Sequence, residues 1–118
     1  MESIRTKDYF IRKTDLLGQC IAVSESLFGS LRSEDLLPGI LLQREDLINR
    51  IEILERDFKQ EEKTACAPYQ KEQLDRQVQL LLAMDRDMAD AICKIQVDLL
   101  AEIKENKKRQ QIANYSRP

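Results

Sequence analysis

Three stretches of the chain repeat apolar residues at the period of an α-helix. From about Lys7 to Phe28, Leu16, Cys20, Val23 and Leu27 recur at steps of four, three and four, and Phe10, Leu17, Ile21 and Phe28 widen the stripe. Such a pattern predicts an amphipathic helix. Gly18 weakens it locally, and Gly29 is placed to end it. A second stripe, Ile40, Leu47, Ile51, Leu54 and Phe58, predicts a helix over about 34–62. Ser33 is placed to cap a turn there, and Pro38 sets the regular helix to begin at Leu37 or Pro38. A loop follows from Lys63 to Tyr69. The third helix is predicted over about 70–113, with Leu74, Val78, Leu81, Met88, Ile92, Ile95 and Leu99 on one face. Asp85 is the polar gap in that stripe.

The fold class that follows is all-α. The chain reads as one helical domain, 1–118: an antiparallel three-helix bundle, or long helical hairpin, with a C-terminal helical extension. Unbroken, the third helix would be about 65 Å long at 1.5 Å per residue, longer than the first two. It is expected to overhang them or to break near Asn106, within the polar run Glu105 to Lys108, which would create a fourth helix. Only three glycines and three prolines are present among 118 residues, too few for the turns of a sandwich or barrel.

Composition narrows the chemistry. The chain has no histidine, which excludes Ser-His-Asp and Cys-His catalysis, the usual zinc sites and Glu-x-x-His di-iron bundles. No motif for a cofactor or metal is present, and no enzyme activity is expected. No apolar leader or membrane-length apolar run is seen, so a cytoplasmic location is expected. The three cysteines are widely spaced and read as reduced thiols, with Cys20 and Cys93 on apolar faces and Cys66 in the loop.

Charge is uneven. Residues 34–62 hold nine acids against four bases, whereas residues 104–118 hold five bases against one acid. The net charge of -2 does not favour nucleic acid. Lys107, Lys108 and Arg109 form a short basic run without interleaved aromatics, most simply a solvated helix end. Asp85, Asp87 and Asp90 look like a carboxylate cluster, but they offer too few converging oxygens for a divalent cation. Asp87 and Asp90 read as a solvated face, and Asp85, in the apolar seam, as a polar specificity residue or the partner of an arginine; a polar pair with Arg44 would orient the two helices. A remote enzyme reading remains in Arg44, Arg50, Arg56 and Arg76, which could clamp a dicarboxylate as small all-helical chorismate mutases do. Only Arg44 lies on a stripe.

Three segments carry a family resemblance. Leu41-Leu42-Gln43-Arg44-Glu45-Asp46-Leu47-Ile48-Asn49-Arg50-Ile51 resembles an L-x-x-R-x-x-L-I-x-x-I second helix. Leu81-Leu82-Ala83-Met84-Asp85-Arg86-Asp87-Met88 is similar to an I-L-x-L-D-x-x-I motif, and the tail Gln111-Ile112-Ala113-Asn114-Tyr115 follows a basic run. Their order and the chain length resemble flagellar type III export chaperones of the FliT kind and, more loosely, FlgN. Each motif is mostly heptad pattern. The resemblance implies a chaperone that binds the C-terminal helical region of a late export substrate, such as the filament cap or a hook-associated protein, and delivers it to export ATPase and gate components. It implies a partner groove at Leu47, Ile51, Leu54, Phe58, Leu74, Val78 and Leu81. It also implies a regulatory covering segment bearing Ile103, Lys107, Lys108, Arg109, Ile112 and Tyr115. The rival reading is a homodimeric coiled-coil structural or adaptor protein, whose apolar face is permanently buried against its own copy.

Overall fold

The computed structural model describes residues 4–115, which are mostly helical and contain no strand. Four helices follow in order: α1 (Ile4–Gly29), α2 (Leu37–Asp57), α3 (Gln60–Thr64) and α4 (Pro68–Tyr115). The all-α class is therefore as the periodicity indicates. The chain divides into two compact units, one ending at Asp85 and the other beginning at Arg86, so α4 contributes to both.

In the first unit, α1 and α2 run antiparallel. Tyr9 near the start of α1 bonds Glu55 near the end of α2, and Ser24 late in α1 meets Arg44 early in α2. The first part of α4 runs back along them: Gln77 donates to the Thr14 carbonyl and Arg44 pairs with Asp85. The core between these helices contains Leu17, Cys20, Leu27, Leu47, Leu54 and Leu74. A cluster of Tyr9, Leu54, Phe58 and Cys66 closes one part of it.

The chain leaves α1 through tight turns, Ser30 N–H to the Leu27 carbonyl and Ser33 N–H to the Ser30 carbonyl. Gly29 is the last helical residue and has no positive φ, so it does not serve as a left-handed cap. Ser33 does cap a turn: its hydroxyl accepts from the Leu36 N–H at 3.2 Å. Pro38 then occupies the first turn of α2, where a missing N–H costs nothing.

Two boundaries differ from the periodic reading. The helix predicted to reach residue 62 ends at Asp57, and Phe58 is extended. Phe58 keeps its place in the stripe, yet its ring is buried against Tyr9, with centroids 5.4 Å apart, and beneath the Arg5 guanidinium. A new short helix starts at once because the Glu62 carboxylate reaches back to accept the Lys59 N–H at 2.8 Å. Of the two alternatives for the long third helix, the break near Asn106 does not occur, and α4 continues unbroken to Tyr115. Glu, Lys, Arg and Gln around Asn106 are all good helix formers, so polarity alone does not end the helix.

The second unit is the later part of α4. Met88 is buried, whereas Ile92, Val97, Leu99, Leu100 and Ile103 are exposed. No helix among the described residues is long and apolar enough to cross a membrane.

Candidate functional site

The expected groove residues separate into two groups. Leu47, Leu54, Phe58 and Leu74 are buried, packed inside the first unit. Ile51, Val78 and Leu81 are half-buried and line an open hollow of about 220 Å³ with Leu17, Cys20, Ile48 and Leu82. Leu17 and Cys20 come from α1, Ile48 and Ile51 from α2, and Val78, Leu81 and Leu82 from α4. Ile48 and Leu82 are exposed and supply apolar surface at its mouth. The sequence reading missed these four residues as a group, although Cys20 and Leu17 were already on the α1 stripe.

Arg44 and Asp85 complete the lining as the only charged pair in it, among the described residues. Arg44 also donates to the hydroxyl of Ser24, which is fully buried, at 3.4 Å. The pair therefore links all three helices at one part of the hollow. The Cys20 thiol is pushed up by burial, with Arg44 opposing the effect and Asp85 adding to it.

A second polar assembly ties α3 to α1 and α2. The Glu55 carboxylate accepts from Tyr9 at 2.7 Å and pairs with Lys13 at 2.7 Å and Lys63 at 3.4 Å. Lys13 also donates to the Tyr9 hydroxyl at 2.9 Å. Burial alone would raise the Glu55 pKa, but bonds from Lys13 and Tyr9 outweigh it and hold the carboxyl below its ordinary value. Arg5 pairs with Glu62 and donates to the Asp57 carbonyl at 3.0 Å. Cys66 lies in the loop between α3 and α4, as read from the sequence, and is buried with Tyr9, Leu54 and Phe58. Cys93, expected on an apolar face, is exposed instead, because no neighbour within its unit covers that side of α4.

The expected regulatory residues Ile103, Lys107, Lys108, Arg109, Ile112 and Tyr115 all lie exposed along the last part of α4, with Arg109 near Glu105 at 3.7 Å. The four arginines of the enzyme reading are not brought together as a clamp. Arg50 pairs with Asp46 and Arg76 with Glu72 along their own helices, and Arg56 is exposed. Asp87 and Asp90 are exposed, and among the described residues no three acidic, histidine or cysteine side chains converge on a metal position.

The arrangement can seat an apolar side chain beside a fixed ion pair, as helix-binding surfaces do. What the fold and hollow define is a small helical protein with an open apolar site. The chain matches no protein-family model, no curated protein and no solved structure.

Proposed function

We propose that this protein is a small helical chaperone that holds a helical segment of a partner through the hollow between α1, α2 and α4, and that it is of the flagellar export kind its motifs resemble. The observation that carries this reading is the hollow itself. Its walls are almost wholly apolar, it is open, and Ile48 and Leu82 extend it as exposed apolar surface. Isolated exposed leucines are ordinary, but a concave apolar set with one orienting ion pair marks a binding groove. On this reading the partner is a filament cap or hook-associated protein passed on to export ATPase and gate components. The chain has no catalytic role and works in the cytoplasm. The C-terminal segment regulates access.

The test is recovery from a lysate of the source organism, identified by mass spectrometry, with the full chain and with a version ending at Leu100. Enriched flagellar cap or hook-associated proteins, recovered better by the shorter chain, support the proposal. Their absence from both samples removes it.

A homodimeric adaptor is favoured by one separate observation: Ile92, Leu99, Leu100 and Ile103 form exposed apolar surface on the later part of α4. An obligate dimer has a melting temperature that rises with its own concentration. A partner-binding monomer does not.

A further inference from the structure

On the later part of α4 the apolar face is a palindrome. Ile92, Ile95, Gln96, Leu99, Leu100 and Ile103 are separated by steps of three, one, three, one and three, which read the same from either end. At 3.6 residues per turn they share one face about 140° wide. Turning the helix end for end lays Ile92 over Ile103, Ile95 over Leu100 and Gln96 over Leu99, each pair equally offset from the middle of that face. Ile95 is half-buried and the other five are exposed. Of the charged residues within the stretch, Lys94 and Asp98 fall on the opposite side and Glu102 falls at the flank. Among the described residues, the second unit has no other helix to cover this face.

We infer that this face is the contact between two copies of the chain, paired antiparallel about a two-fold axis at the level of Val97 and Asp98. A patch that recognises its own copy across such an axis must be self-complementary, and a stripe that reads alike in both directions meets that condition when the helices run antiparallel. Charge selects the same sense. Lys104, Lys107, Lys108 and Arg109 crowd one end of the segment, against Glu105 alone. A parallel pair would bring the two basic ends together and repel, whereas an antiparallel pair holds them apart. The inference rests on the dimer reading above and fixes its surface and direction; it uses no residue that lines the hollow. Six residues a side are few against the roughly 20–30 of a standard interface, so the dimer is reversible and forms as concentration rises.

The experiment is sedimentation equilibrium of the full chain over a range of concentrations, followed by cysteine cross-linking. The mass should climb from one chain toward two. Leu99→Glu should shift that transition at least about tenfold in concentration while keeping its circular dichroism, since it puts a charge at the centre of the contact. Ile92→Cys and Ile103→Cys are then each made in a Cys93→Ser background and oxidised where the dimer is populated. In an antiparallel pair neither variant links to itself, because eleven residues part the equivalent positions by about 16 Å along the axis, beyond the roughly 7 Å a disulfide spans. A mixture of the two variants should link position 92 of one copy to position 103 of the other. Self-linking of each variant alone overturns the antiparallel sense and leaves the dimer standing. A dimer that Leu99→Glu does not weaken overturns this surface. A single chain at every concentration overturns the inference and the dimer reading together.

Discussion

Arg44 of α2 and Asp85 of α4 form an ion pair although 41 positions separate them in the chain. Asp85 interrupts an otherwise apolar stripe, and Arg44 occupies a stripe position on the facing helix. Each makes the other tolerable there, because a lone charge against an apolar wall would have to recover its water. Both are partly exposed, which limits the energy involved. A double-mutant cycle with Arg44→Met and Asp85→Ala should give a coupling of about 0.5–1 kcal/mol in urea unfolding. Additive effects of the two substitutions would show that the pair orients nothing.

Stability should depend on acid through Glu55. Its carboxyl is held below the ordinary 4.5 despite burial, by Lys13, Tyr9 and Lys63. A depressed folded pKa adds stability that is complete above the unfolded value and is lost as pH falls through the folded one. Urea midpoints should therefore be insensitive to this group above about pH 5 and drop below about pH 4. Glu55→Gln should flatten that acid limb. An unchanged limb in the variant would exclude the cluster as its source.

The alkaline side has the same assembly as its source. Burial pushes the Tyr9 hydroxyl above its ordinary 10.0. For Lys13, burial acts to lower the pKa, but bonds to Glu55 and Tyr9 raise it above 10.5. Both raised values mean that stability present below about pH 10 is lost as pH climbs through the folded values. Tyr9→Phe should lessen the alkaline loss, read from the same midpoints at high pH.

The three thiols should react in two classes. Cys93 is exposed, while Cys20 and Cys66 are buried. A chromogenic disulfide reagent at neutral pH should consume one thiol quickly and the other two only as the fold opens. Slow reaction at Cys93 that quickens on dilution would instead show a second copy covering the later part of α4.

Core and hollow should respond differently to substitution. Leu54→Ala removes a buried side chain of the Tyr9–Phe58–Cys66 cluster and should cost about 2–4 kcal/mol. Ile48→Asp and Leu82→Asp change exposed positions and should leave unfolding nearly unaltered while abolishing partner capture. Loss of stability without loss of capture in the latter pair would move the binding site elsewhere.

Much of this architecture is legible in the residues. The α1 stripe and the Ser33 and Pro38 signals place the first helix and the start of the second within a few residues. The end of α2 is not legible by periodicity, because Phe58 sits four residues after Leu54 and no glycine or proline marks the break. Its cause is tertiary, the burial of the Phe58 ring, joined to a local bond from Lys59 to Glu62 that composition does not advertise. The hollow was only half visible for a related reason. A stripe tells which residues turn inward, but Leu54 and Ile51 share one stripe while only Ile51 lines the opening. That distinction depends on where three helices diverge.

The inward face of α1 also sets a ceiling on size. Beside Tyr9, Leu17 and Leu27 it buries Thr6, Cys20 and Ser24, and the serine has no exposed surface at all. Short side chains there let the backbones of neighbouring helices approach closely, and a dense interior has no slack to give back. Sequence drift along this helix is therefore lopsided. Trimming Thr6 or Ser24 to alanine removes little volume, whereas enlarging either to leucine must wedge the helices apart and, at Ser24, through Arg44, disturb the mouth of the hollow.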